Sequence, residues 1–228
     1  ALSSKAKHIF VAYPGMEKFF GKDKITLSGN PVRKDLIDLA GKKEKACAFF
    51  GLDPNKKTIL VIGGSQGARS INLAIQNGLA DIAKADVQLI WQTGVSFENE
   101  AKKASGTTND LKNYVSAFIY EMDLAYAMAD LVISRAGALS VSEICLAGKP
   151  SILVPFPNAS EDHQTENALS LVRQQAALIV KDNEAQDLLI KTALETLNNQ
   201  NLVESLAKAS LSMGKPKAAQ EIAATLLT

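Results

Sequence analysis

Along this chain, short apolar runs rich in Val and Ile alternate with longer segments whose apolar positions recur every three or four residues. The first pattern predicts strands buried on both faces, and the second predicts helices that lay one stripe against a sheet. Strands are expected over residues 8–12, 25–28, 58–62, 87–92, 114–118, 131–134, 151–154 and 177–180. Helices are clearest over 68–83, 122–129, 139–147, 162–174, 184–198 and 202–213, with a terminal helix from about 216. Alternation of this kind defines an α/β fold, a parallel sheet with helices on both faces.

One break interrupts the rhythm. At "SGNPVRKDL" the Asn30-Pro31 step forces an extended or turn geometry before a new helix begins, which places a domain junction there. Residues 1–30 then read as the tail of another domain, 31–215 as a doubly wound domain of six strands, and 216–228 as a closing helix. The first residue is not Met and a strand follows almost at once, so the sequence is expected to be a piece of a longer protein.

Composition narrows the function. Of 228 residues 46% are hydrophobic, ample for a packed core, and 25 Lys and Arg nearly cancel 24 Asp and Glu. With no basic run interleaved with aromatics, no extended nucleic-acid surface is expected and any anion must be bound locally. Cys47 and Cys145 lie far apart without metal-ligand spacing, as expected for reduced core thiols of a cytosolic protein. No apolar run approaches the roughly 18 residues of a membrane span, and the start lacks the pattern of a signal peptide.

In an open parallel sheet, ligands collect where the strands end, so four stretches stand out. In "TILVIGGSQGARSINLAIQ" a strand enters a glycine turn and then a helix; Gly64, Ser65, Gln66 and Gly67 would let backbone amides approach an anion. The same turn fits G-x-S-x-G, the nucleophile elbow of serine hydrolases, and Ser65, Asp130 and His163 fall in triad order. "ISRAGALSVSEI" repeats the strand–turn–helix plan, with Glu143 placed either to accept ribose hydroxyls or simply to complement a helix dipole. "PNASEDHQTENA" would start a helix at Ser160 or Glu161 and bring His163, Gln164 and Asn167 to the ligand edge. Arg33, just past the junction, could reach a phosphate between two domains. The hydrolase reading leaves the second turn and Arg33 without a role, and nothing like H-G-G-G precedes Ser65. A phosphate reading employs all four stretches at one cleft.

The ordered set "GNPVR", "IGGSQGAR", "WQTG", "FIYEMDLAYAMADLVISRAGALSVSEI", "GKPSILVPFP" and "DHQTENA" closely resembles the carboxyl-terminal half of the MurG family, from about residue 7 to the end. Those enzymes transfer N-acetylglucosamine from UDP-GlcNAc to lipid I, the undecaprenyl-pyrophosphoryl-MurNAc-pentapeptide, giving lipid II in peptidoglycan synthesis. The resemblance implies a GT-B glycosyltransferase, two Rossmann-like domains facing across a cleft, of which this chain holds the donor half. It implies UDP-GlcNAc contacts from Arg33 and the turn Gly64, Ser65, Gln66 and Gly67, with Ser65 on the diphosphate. It further implies the Ile119 backbone on the uracil, and Arg135, Ala138, Leu139 and Ser140 against the nucleotide. Glu143 would hold the ribose, and His163 and Gln164 the sugar hydroxyls. Ser140 stands where threonine is usual, and Ala136 where serine or glycine is common. No metal or cofactor is expected, and the implied place is the cytoplasmic face of the bacterial inner membrane, held peripherally. The family's "GGTGGH" segment, which handles the acceptor and supplies a histidine, has no counterpart here, so no catalytic residue is expected in this chain. A related UDP-GlcNAc 2-epimerase is the alternative within the same fold; it would need carboxylates and histidines around the sugar beyond His163.

Overall fold

The structure, a computed structural model, describes residues 5–12, 20–109, 111–157, 159 and 162–227. Strands β1 (Ile9–Val11) and β2 (Ile25–Leu27) pair in parallel as a two-stranded unit of their own. Beyond the Asn30-Pro31 step come α1 (Lys42–Phe50), β3 (Thr58–Ile62), α2 (Arg69–Asn77), α3 (Leu79–Lys84), β4 (Gln88–Gln92), α4 (Glu98–Gly106) and β5 (Asn113–Ser116). Then follow α5 (Met122–Met128), β6 (Leu131–Ser134), α6 (Ala138–Leu146), β7 (Ser151–Leu153), α7 (His163–Val172), β8 (Leu178–Ile179), α8 (Ala185–Leu197), α9 (Gln200–Met213) and α10 (Ala218–Leu226).

The second sheet has six parallel strands in the order β5-β4-β3-β6-β7-β8. Every residue of β3, β4, β6 and β7 is buried, which is why the strands read as apolar runs, with polar residues confined to their ends, and not as alternations. Helices α1, α5, α6 and α7 cover one face around Leu60, Ile90 and Val132, and α2, α3, α4 and α8 cover the other around Ile59, Val61 and Trp91. The order reverses between β3 and β6, so their following helices leave on opposite faces and open a crevice at the carboxyl ends. Register makes those ends level: Ile62 faces both Gln92 and Ser134, and Ser134 faces Leu153.

All eight expected strands form, with ends shifted by a few residues. The helix expected over 68–83 is instead two, broken at Gly78. A side chain there would put its first carbon 2.5 Å from Ile190 Cγ1, so α8 passes too close for anything but glycine. Helix α1 has little amphipathic signature and α4 is mostly polar: "KKEKACAFF" and "ENEAKKASG" bury only Ala46, Cys47 and Phe50, and Ala101 and Ser105. Left-handed glycines, Gly41 and Gly51, bound α1 instead. The predicted helix start at Ser160 or Glu161 lies outside the described residues.

Candidate functional site

Two turns face each other across the switch point. After β3, Gly64 takes φ +80° and Gly67 φ +77°, with Gly67 N donating to Gly64 O at 3.1 Å around exposed Ser65 and Gln66. The two glycines serve different ends. Around Gly64 a side chain would meet nothing within 4 Å, so its face is open; at Gly67 it would lie 2.1 Å from Thr93 O. Gly67 is therefore glycine so that the turn can press against the Thr93-Gly94 turn after β4. Asn72, buried in α2, holds the same junction, donating to Thr93 O at 2.8 Å and accepting from Trp91 Nε1 at 3.0 Å.

Beyond the turns, α2 and α6 start at Ala68 and Gly137, neither of which supplies a side-chain cap. The first amides of both helices thus have no partner within their helix and carry the positive end of its dipole. Two such ends at one crevice suit an anion with two charged groups. Ala138 and Leu139 occupy the first turn of α6, Leu139 exposed at its surface, and Ser140 is half-buried beside them.

Glu143, one and a half turns into α6, does not stand free. Arg33 Nε lies 3.3 Å from its Oε1, and Arg33 Nη1 donates to Tyr120 O at 3.3 Å. The pair joins the expected phosphate ligand to the expected ribose ligand, so a nucleotide would have to take each from the other. Burial pushes the Glu143 carboxyl above the usual carboxylate range; the Arg33 guanidinium opposes this, and the negative charge of Asp35 adds to it. Beneath, the Tyr126 hydroxyl is fully buried with no hydrogen-bond partner. Asn30, at the junction, donates to Ala138 O at 3.2 Å and Ser142 Oγ at 3.0 Å and so ties the connecting segment to α6.

Past β5, Phe118 and Tyr120 stack edge to face at 4.9 Å and remain exposed, flanking the buried Ile119. The Ile119 N–H is already bonded to Gln92 Oε1 at 3.2 Å, so what this residue can offer a base is its carbonyl. Gln92 also donates from Nε2 to Gly64 O at 3.1 Å. Neither Gln92 nor Asn72 is among the residues the sequence singles out, although "WQTG" contains the first: an amide among apolar neighbours, in a strand for Gln92 and in a helix for Asn72, is the only signal either gives.

At α7, His163 is exposed on the first turn and Gln164 Oε1 accepts from Phe156 N at 3.0 Å, which leaves the Gln164 amino group for a ligand. Asn167 is turned inward, donating to Ala136 O at 3.0 Å, and so braces the second turn instead of a sugar. Arg135 needs the same correction. Its guanidinium is taken up by an ion pair with Asp182, bonds to Ser70 Oγ (3.0 Å) and Val154 O (3.1 Å), and a seat over the Phe156 ring at 5.4 Å. It fastens α2, β6 and the segment after β8 together, so its contacts give it a bracing role in place of the expected nucleotide contact.

The hydrolase triad fails on geometry. Asp130 accepts from Thr58 N at 2.8 Å, at the amino end of β3, whereas Ser65 lies beyond its carboxyl end. The length of a five-residue strand, about 16 Å, separates them. A cavity of 490 Å³ beside α6, lined by Asn30, Ser142, Arg173 and Lys215 among others, shares none of the switch-point residues. Among the described residues no helix is long and apolar enough to cross a membrane.

Comparison with known proteins gives this geometry a context. The profile of the glycosyltransferase family 28 C-terminal domain matches residues 58–222. The UDP-N-acetylglucosamine–N-acetylmuramyl-(pentapeptide) pyrophosphoryl-undecaprenol N-acetylglucosamine transferase of Parabacteroides distasonis is 53% identical over 207 residues, 91% of this chain and 56% of that protein. Its namesake from Cytophaga hutchinsonii is 49% identical over 222 residues, 97% of this chain and 59% of that protein. The chain thus spans a little over half the length of these relatives. Among solved structures, MurG of Acinetobacter baumannii superposes with a TM-score of 0.77 at 27% identity, over 97% of this chain and 60% of that one. A UDP-GlcNAc 2-epimerase of Neisseria meningitidis reaches 0.66 at 17% identity, over 99% of this chain and 62% of that one, a likeness of fold alone. By the extent of the profile match, the chain belongs to glycosyltransferase family 28 and carries that family's C-terminal domain.

Proposed function

We propose that this chain is the donor-binding half of an inverting N-acetylglucosaminyltransferase that moves GlcNAc from UDP-GlcNAc to lipid I, making lipid II for peptidoglycan. The observation that carries the reading is the meeting of two helix starts at the switch point, behind Ala68 and Gly137, with a carboxylate one and a half turns into the second helix. Displacing UDP from the anomeric carbon gives an oxocarbenium-like centre and builds negative charge on the departing diphosphate. The amides opening α2 and α6 and the Ser65 hydroxyl take up that charge, and Arg33 joins them once Glu143 has turned to the ribose. The Ile119 carbonyl and the Phe118–Tyr120 edge receive the base, and His163 with the Gln164 amino group reads the sugar hydroxyls. The acceptor hydroxyl attacks from the opposite face and inverts the centre. Deprotonating it, holding lipid I and resting peripherally on the cytoplasmic face of the membrane fall to the part of the relatives that this chain does not span. On this reading residues 1–30 close the acceptor domain, 31–215 form the donor domain and α10 is a separate closing element.

Titration calorimetry of the chain with UDP and with UDP-GlcNAc tests the proposal. Saturable binding of both at a single site is expected; a chain that takes up neither contradicts it.

A further inference from the structure

Resting on that nucleotide reading, we infer that Gln92 is a positioning residue that sets the separation between the diphosphate turn and the loop that receives the base. Gln92 closes β4, the strand lying between β3 and β5 in the sheet, and is 3% exposed. From this middle position one planar carboxamide reaches both sides: Nε2 donates to Gly64 O at 3.1 Å and Oε1 accepts from Ile119 N at 3.2 Å. The orientation is forced, because a flipped amide would set oxygen against the Gly64 carbonyl and amino hydrogens against the Ile119 N–H. A second link between the two loops is made by backbone, Gly67 packing on Gly94 and Gly94 N donating to Ala117 O at 3.0 Å. That link runs from Gly67 through Gly94 to Ala117. The Gln92 link joins Gly64, whose outer face is open, to the residue whose carbonyl is left for a base.

Gln92 therefore touches neither half of the ligand and governs how well the two halves can be held at once. For a ligand with two recognised ends, binding the second is intramolecular, and its advantage depends on the two sites being correctly spaced. A positioning role thus has a signature that a loss of fold stability lacks: the linked ligand suffers while its separate parts do not.

The test compares UDP, uridine and inorganic pyrophosphate on the parent chain and on Gln92→Met, which keeps the length and removes both hydrogen bonds. UDP affinity should fall about tenfold or more, while uridine and pyrophosphate, followed by ligand-observed NMR, each stay within about twofold. Gln92→Glu supplies a second reading should the Met variant not fold. Titrated downward in pH, its carboxyl regains a proton, donates to Gly64 O while still accepting from Ile119 N, and should restore UDP affinity towards that of the parent at the same pH. Uridine or pyrophosphate falling as far as UDP, unchanged UDP binding by Gln92→Met, or a deficit in Gln92→Glu that persists at low pH would overturn the inference. A parent chain that binds no UDP would instead refute the nucleotide reading beneath it.

Discussion

Glu143 carries opposing demands, because the carboxylate proposed to hold a ribose is kept partly out of water. Its proton is held to a higher pH in the folded chain than in the unfolded one, so the folded state binds more protons across that window and loses stability as pH rises through it. The variant Glu143→Gln has no such proton to lose. In paired urea melts, its stability relative to the parent should increase as pH rises from the ordinary carboxylate range to above the raised value. Its UDP affinity should drop roughly tenfold or more, the worth of a charge-assisted hydrogen bond; a pH-independent stability difference would deny the burial effect. Tyr126 presents a simpler case: its buried hydroxyl has no partner, so Tyr126→Phe should raise stability by about 1 kcal/mol in the same melts. Arg135 is the reverse. Removing it leaves the half-buried Asp182 carboxylate without its countercharge, although Ser70 Oγ still donates to it, and Arg135→Ala should cost about 3 kcal/mol in denaturant midpoint measurements, with UDP affinity preserved where the variant is folded. Lost affinity at unchanged stability would return Arg135 to the crevice. Sequence position alone could not separate Arg135 from Glu143, since both belong to one turn-and-helix unit; only the partners of each side chain do so.

At the scale of elements, the glycine turn after β3 was legible because strand, glycines and helix follow one another within a few residues, and local order dictates local geometry. Which glycine does what was not legible, because the Thr93-Gly94 turn that confines Gly67 comes from the next strand. The difference can be measured. Gly64→Ala meets only the cost of a left-handed backbone, about 1–2 kcal/mol. Gly67→Ala adds a collision with Thr93 O and should cost about 3 kcal/mol or more. Thermal melts that rank the two equally would contradict the different roles drawn for them. The same limit explains the helices: the glycine at the break, Gly78, is required by Ile190 of α8, and α4 has too few buried positions to announce itself. Conversely β3, β4, β6 and β7 were plain, since a strand buried on both faces keeps an apolar run at its centre and its polar residues at the ends.

For the whole molecule, the strand order turns a series of motifs into a site. The turns after β3 and β6 are separated by about seventy residues of chain, yet β3 and β6 are neighbours and end level, so their helices open on one crevice. With a net formal charge of +1, the molecule has little overall field for an anion, and attraction must come from those two helix ends. The proposed function therefore stands or falls on one ligand engaging both. Backbone amide NMR during a UDP titration watches the two ends at once. Amides 65–71 and 138–141 should shift together along a single binding curve, while amides at the opposite end of the strands, around Thr58 and Asp130, stay still. Shifts confined to one turn, or two turns following different curves, would contradict it.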